Sequence, residues 1–419
     1  MTTTRILLLT TAHSYRAKSF MAAAERLGIE VVLAVDLPPE LAATAGAVLG
    51  IEFRWPETAV PMILDYAAAR PLSAIIPVDD SGVLLAAQAS AALGLAHNQP
   101  VAAEAARDKL IMRQLLRDGG VPVPAFQAFS AADGMERVTA AVHDQIGYPC
   151  VVKPRTLNGS RGVIRANDEV ELTAVVGRVK HLIYSIGTPG FLIEQFMPGF
   201  EVALEGVLVD GRLQPLAIFD KPDSLDGPYF EETIYVTPSC LPQAQQDEIV
   251  QMAERGARAL GLQTGSVHAE LRVNGAGVWI VEVNGRSIGG LCSQTLRFDM
   301  EMDGHRVSLE ELILRQAVGL DVSHLQREQK ASGVMMIPVP QAGILRGFDG
   351  VEQGEHLQGI DEIKITTPLN YRLRPLPEGD SYLGFIFAAG ETPAEVEAAL
   401  RQAHQCLSFK IDEELPVIQ

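Results

Sequence analysis

The 419-residue sequence predicts a mixed architecture: an N-terminal parallel α/β unit, then α+β lobes, then a smaller C-terminal α+β unit. Three observations carry this. The first hundred residues alternate short apolar runs with segments of helical period, the pattern of βαβ units and a parallel sheet. From Asp108 onward strands and helices follow an irregular order with hairpin turns between them, which suits antiparallel lobes and not a continuous doubly wound sheet. The chain is also too long for one ordinary core.

In order along the chain, ILLLT reads as a first buried strand and Ala17 to Leu27 as a helix. EVVLAVD is a second strand. A helix near Ala59–Arg70, the strand SAIIPVD and a helix over Gly82–Gly94 complete the first unit. No G-x-G-x-x-G follows its first strand, so a dinucleotide site is not supported. The loop Thr10-Thr11-Ala12-His13-Ser14 stands at the carboxyl end of that strand, where open sheets bind ligands. His13 and Ser14 there either touch substrate or cap the next helix. DKLIMRQLLRDGG is an amphipathic helix with Asp108 at its start and glycines after its end. VPVPAF, a helix near Ser130–Gln145, the strand PCVVKP and the loop RTLNGSRGV follow, then the strand GFLIEQF. EVALEGVLVDGRLQPLAIF is a hairpin turning at Asp210-Gly211. A turn-rich stretch, KPDSLDGPYFEETIYVT, leads to a long helix over Gln243–Leu260. The last ninety residues, from about Ala331, hold GVMMIPVP, IKITTP, SYLGFIFAAG and the helix TPAEVEAALRQAHQCL.

Composition excludes several classes. A net charge of −18 argues against non-specific binding to nucleic acid or to an anionic membrane. An anionic ligand therefore needs its own local cations. Four cysteines, Cys150, Cys240, Cys292 and Cys406, show neither zinc-site nor disulfide-framework spacing. The N-terminal MTTTRILLLTTAHS has no basic region or cleavage-like end, and no run approaches a membrane span. A soluble cytoplasmic protein is expected.

The segment HAELRVNGAGVWIVEVNGR carries acids on otherwise apolar strands. A three-residue loop, Gly275-Ala276-Gly277, sets Asn274 opposite Val278, Glu270 opposite Glu282, and His268 opposite Asn284. Gly277 takes the left-handed position of such a loop. All four residues then share one face, with opposed side chains ~5 Å apart. Two carboxylates that close need a proton or a cation between them. Oxygen donors suit a hard ion, Mg²⁺ or Mn²⁺. A two-residue loop would put the two acids on opposite faces. The alternative is an exposed hairpin edge with scattered charges.

Lys153 ends VVKP just before Asn158-Gly159-Ser160-Arg161-Gly162. Glycines let backbone N–H groups approach anionic oxygens, and the lysine adds a point charge. The loop is not a P-loop, and most Gly-rich turns are only turns. Lys109 stands at a helix N-terminus, where a cation is mildly unfavourable, a local misfit that points to function. IEQFMPGFE offers Glu194, Phe196 and Met197 to an adenine ring and Glu201 to ribose hydroxyls, or is simply a strand leaving its sheet at Pro198-Gly199.

Taken together and in this order, Lys109, Lys153, the glycine loop, IEQF, Glu201, Glu270, Glu282, Asn284 and Arg286 resemble the ATP-grasp superfamily over the whole chain. SAIIPVDD, ARDKLIMRQLL, GVPVP, VVKP and VHAEL…VEVNGR look most like the L-amino acid ligases and carnosine-synthase-like carboxylate–amine ligases. The resemblance implies a pre-ATP-grasp domain at 1–107, an ATP-grasp domain at 108–320 with a lid lobe at about 121–192, and a C-terminal domain at 321–419. It implies ATP with Lys109 and Lys153 on its phosphates and Gly159, Ser160 and Gly162 in a flap. Adenine falls to Glu194 and the Phe196–Met197 backbone, and ribose to Glu201. Magnesium, two ions per site with manganese as the alternative, falls to Glu270, Glu282 and Asn284.

The implied reaction joins a carboxylate and an amine, giving a dipeptide from L-amino acids through an acylphosphate, with ADP and phosphate released. Arg286, read as two residues beyond Asn284 on the same face, would grip the substrate carboxylate or the acylphosphate. His268 either contacts phosphate or substrate or is structural. Glu231 and Glu232 either bind an amino group or are solvated. Gly289 and Gly290 either leave room for the carboxylate substrate or let the chain turn. A carboxyphosphate-forming carboxylase and a non-catalytic ATP-binding module are the competing readings. Partners are expected to be small molecules, with a homodimer suggested by relatives of this layout.

Overall fold

The computed structural model describes residues 4–12, 14–299 and 306–413; His13 lies outside the described residues. The N-terminal unit is a parallel sheet of strands β1 (Arg5–Thr10), β2 (Glu30–Val35), β3 (Leu49–Gly50) and β4 (Ala74–Pro77) in the order β3-β2-β1-β4. Helices Ala17–Arg26, Pro56–Ala69 and Val83–Leu93 connect them, close to the expected spans. Strand β1 is apolar at every position between Arg5 and Thr10 because both faces are covered. Ile6 and Leu8 join the core beneath the large sheet, whereas Leu7 and Leu9 pack with Ile63 and Leu85 on the other side.

Strands β5 (Phe126–Phe129), β6 (Cys150–Pro154), β7 (Ile164–Ala166) and β8 (Phe191–Gln195) form an antiparallel sheet ordered β5-β8-β6-β7. It lies within the predicted lid lobe apart from the last residues of β8. The 18-residue helix Glu169–Ile186 covers it with Leu172, Val176, Val179 and Ile183, and the sequence reading did not foresee this helix. Helix Leu309–Ala317, capped by Ser308, was likewise not foreseen. Helix Gln243–Leu260 has the predicted bounds.

Strands β9 (Phe200–Val209), β10 (Arg212–Asp220), β11 (Ile234–Thr237), β12 (Gly265–Asn274) and β13 (Gly277–Asn284) belong to one eight-stranded sheet. The hairpin between β9 and β10 turns at Asp210 and Gly211, both with positive φ, as Asp-Gly permits. Its remaining strands come from the C-terminal unit: Ala331–Ile337 pairs antiparallel with β11, then come Gly384–Gly390 and Ile360–Ile365. The C-terminal unit therefore continues the sheet that carries the hairpin. Helices Lys109–Asp118 and Gln243–Leu260 pack on one face of this sheet through Met112, Leu116, Ile249 and Ala253. Among the described residues no helix is long and apolar enough to cross a membrane.

Candidate active site

A cavity of about 1060 Å³ lies where the N-terminal unit, both lobes and the C-terminal unit meet. The hairpin forms its floor. The expected pairs are present: His268 opposite Asn284 and Glu270 opposite Glu282. They arise differently from the prediction. The loop has two residues, with Asn274 paired to Gly277, which alone would put the acids on opposite faces. A bulge at Val281 inserts one residue between the Glu270–Glu282 and Leu271–Ile280 pairs and restores the shared face. Arg113 holds that bulge by donating to the Val281 carbonyl at 2.9 Å.

Each acid of the hairpin meets a cation. Glu282 lies 3.6 Å from Lys109, whose ammonium also donates to the Leu157 carbonyl at 2.8 Å and so fixes the start of the glycine loop. Glu270 lies 3.6 Å from Lys221 and 3.5 Å from Nε2 of His268. The Nδ1 of His268 is 3.1 Å from Glu205, which is fully buried and also accepts from the Ile288 amide. Burial alone would lower the His268 pKa, but Glu205 and Glu270 outweigh it and lift it to about 9. His268 is therefore an imidazolium near neutral pH.

Lys221 was not singled out from the sequence, yet it organises one wall. It is buried at the end of β10, 2.9 Å from Glu201 and 2.6 Å from Glu232. Glu201, Glu232 and Glu270 have carboxylate oxygens within 4.8 Å of one another, the one three-acid cluster of ligand geometry found among the described residues. The Lys221 ammonium already sits among them. Burial opposes its charge, but the three carboxylates hold its pKa well above the usual lysine range. Burial and the neighbouring Glu270 push Glu232 up to about 7 against the pull of Lys221. Glu231 is raised by burial alone.

Lys153 and Glu194 touch each other, and Arg113 reaches Glu194 at 2.8 Å. Burial alone would raise the carboxyl, but Arg113 and Lys153 hold it down to about 2. The Glu194 side chain thus holds two cations at the wall of the cavity. Phe196 donates its amide to Pro149, and the guanidinium groups of Arg165 and Arg272 lie 4.3 and 5.1 Å from the centre of its ring. The Met197 carbonyl accepts from Arg272 at 2.7 Å. Glu201 is shared by Lys221 and Arg272, the latter at 2.8 Å. All of these residues line the cavity except Arg113, Pro149, Arg165 and Lys221.

The glycine loop carries positive φ at Gly159, Ser160 and Gly162. A Cβ at Gly162 would stand 2.7 Å from Pro154 and 2.8 Å from Leu182, so only glycine fits. The C-terminal unit grips this loop. Gly162 donates to the Pro377 carbonyl at 2.8 Å, and Arg161 to the Glu378 carbonyl at 2.8 Å.

Arg286 lies past the end of β13, so the alternation invoked to aim it does not extend that far. Its Nε and Nη2 grip Asp80 at 2.5 and 3.0 Å, and Nη1 donates to the Ser287 carbonyl. The bidentate edge is therefore occupied by an acid of the N-terminal unit. Neighbouring Asp79 accepts from Thr10, Thr11 and Ser14, and this fixes the first loop; Ser14 does not cap the following helix. The two glycines after Arg286 differ. A Cβ at Gly289 meets nothing within 4 Å, whereas Gly290 has φ +60° and a Cβ there would be 3.0 Å from Phe385. Gly289 leaves space, and Gly290 permits the turn.

Glu270, Glu282 and Asn284 bring carboxylate and amide oxygens to the same cavity that Lys109 and Lys153 line. Against known proteins, residues 146–295 match the ATP-grasp domain family and residues 335–412 the L-amino acid ligase C-terminal domain 2 family. Alanine–anticapsin ligase of Bacillus subtilis is 29% identical over 52% of this chain and 48% of its own length. Carnosine synthase 1 of Gallus gallus is 29% identical over 94% of this chain and 44% of its own length, so the chain spans about half of each of these relatives. The crystal structure of an L-amino acid ligase from Bacillus licheniformis has a TM-score of 0.80 at 24% identity, covering 99% of this chain and 100% of that one. Residues 146–295 are thus an ATP-grasp domain, and residues 335–412 match the C-terminal domain of the L-amino acid ligases.

Proposed function

We propose that this protein is an ATP-dependent carboxylate–amine ligase that joins two L-amino acids through an acylphosphate. One observation carries the reading above the others: the bulged hairpin sets Glu270, Glu282, His268 and Asn284 on one face of a cavity that Lys109 and Lys153 also line. Phosphoryl transfer needs mainly positioning and charge neutralisation, and this set supplies both.

In the proposed reaction a carboxylate oxygen of the first amino acid attacks the γ-phosphorus of ATP, and the bond to the ADP oxygen breaks. The amine of the second amino acid then attacks the acyl carbon, loses a proton and expels phosphate. Lys109 and Lys153 neutralise phosphate oxygens, and the amides of Gly159, Ser160 and Gly162 approach them. The backbone near Phe196 and Met197 takes the adenine and Glu201 the ribose, which requires Glu201 to share its partners Lys221 and Arg272 with the sugar. Glu270, Glu282 and Asn284 would hold Mg²⁺, which when bound would offset charge on the transferring phosphoryl group. His268, as an imidazolium, adds a positive charge beside Glu270. Arg286 contributes charge to the acyl end; a bidentate grip on substrate would require it to release Asp80. Glu232, poised near neutrality, suits the ammonium of the first substrate. A cytoplasmic location and a homodimer belong to the same proposal. Supplying ATP, Mg²⁺ and pairs of L-amino acids, then measuring phosphate release and product mass, tests the reading. Dipeptide with one phosphate per bond is expected. Phosphate release driven by bicarbonate, or none with any pair, refutes it.

A further inference from the structure

Six cationic side chains line the cavity: Arg16, Lys109, Lys153, His268, Arg272 and Arg286. Five have a carboxylate partner, namely Glu282 for Lys109, Glu194 for Lys153, Glu205 for His268, Glu201 for Arg272 and Asp80 for Arg286. Among the described residues Arg16 has none. It is 7% exposed, and two of its donors have neutral partners. These are the Val78 carbonyl at 2.5 Å and the Ser287 hydroxyl at 2.7 Å, while its Nε has no partner. Asp80 is near enough to feel its charge, but a buried guanidinium with no carboxylate in contact is costly, and a planar fork is suited to a carboxylate. Its position is informative as well. Ser287 fixes it beside Arg286, and the open side of Gly289 lies two residues further along.

We propose that Arg16 binds the α-carboxylate of the second, amine-donating substrate, and thereby makes the acceptor an α-amino acid and not a simple amine. The inference rests on the ligase reading. The first substrate's carboxylate is consumed at the phosphoryl centre, so only the acceptor keeps a free α-carboxylate through the reaction. That anion completes the charge balance of the wall that Arg16, Arg286 and Asp80 form.

The test compares one acceptor as the free acid and as its carboxamide, in the wild type and in R16M and R16K. Hydroxylamine trapping of the activated donor is run alongside on the wild type. In the wild type the acid should exceed the amide in kcat/KM by about 10- to 100-fold, the range of a hydrogen-bonded charge pair. R16M should remove most of that preference by raising KM for the acid, while KM for the donor moves less than about threefold; R16K should recover part of it. Equal losses for acid and amide, a rise confined to the donor KM, or a wild type indifferent to the carboxylate would each overturn the proposal. The wild-type comparison needs no folded variant. If the wild type makes no hydroxamate with any amino acid, the ligase reading itself fails and the role of Arg16 with it. Hydroxamate formation without acid preference removes the Arg16 role alone.

Discussion

Replacing Lys221 with methionine keeps the apolar stem and deletes the charge. Glu201, Glu232 and Glu270 then stand with oxygens within 4.8 Å of one another and no ammonium among them. Two full charges at that distance repel by about 3.5 kcal/mol at an effective dielectric of ~20. Three such pairs cost more than taking up a proton, because protonating an ordinary glutamate at pH 7 costs about 3.7 kcal/mol. The variant therefore relieves the repulsion by binding protons, and its loss of stability at pH 7 should be roughly 3–5 kcal/mol, the usual cost of removing one member of a buried ion pair. The pH dependence follows. In the variant these carboxyls have folded pKa values above their unfolded values. Their destabilisation is therefore absent below the unfolded pKa and grows as pH rises. Each proton held beyond the native enzyme changes the difference by ~1.4 kcal/mol per pH unit, so one extra proton shrinks the deficit by roughly 2.7 kcal/mol between pH 7 and pH 5. Urea unfolding followed by circular dichroism at pH 5, 6, 7 and 8 measures it. A deficit below about 1 kcal/mol at pH 7, or one that does not change with pH, would refute the role given to Lys221.

Other consequences are equally direct. His268, raised to about 9 from an ordinary value of 6.5, contributes about 3 kcal/mol that is fully present below pH 6.5 and lost as pH passes 9. H268N should lack this alkaline decline in urea unfolding, and an unchanged profile would contradict the buried imidazolium. E282Q should lower amide formation at least 100-fold and weaken the response to Mg²⁺ while leaving the thermal midpoint near that of the wild type; near-wild-type turnover at ordinary Mg²⁺ would sink the metal assignment. Gly289 opens into space, so G289L should reject bulky first substrates by about 1–3 kcal/mol in kcat/KM and spare small ones. Equal losses for both would point to a backbone effect.

The N-terminal α/β unit and most long elements were legible because periodicity and caps are local. Helix Glu169–Ile186 escaped because Val and Ile along it read as strand-like, and its burial depends on a sheet formed by distant segments. The hairpin register was reached through an incorrect loop length. The Val281 bulge that corrects it is stabilised by Arg113, 168 residues away, and no local pattern announces that. Arg113 itself sits in an amphipathic helix and reads as solvent-facing, yet it is buried against Glu194. Lys221 and Arg16 share this property: each becomes informative only when the carboxylates around it, or their absence, are known. Arg286 was legible as a cation at the site, but its partner Asp80 comes from another unit.

The central claim is that the carboxylate of the first amino acid attacks the γ-phosphate of ATP. A first substrate labelled with ¹⁸O in its carboxylate, incubated with ATP, Mg²⁺ and the second amino acid, tests it most directly. One labelled oxygen should pass into the released inorganic phosphate for each dipeptide formed, with ADP unlabelled. Label in AMP, or unlabelled phosphate alongside dipeptide, would contradict the acylphosphate route.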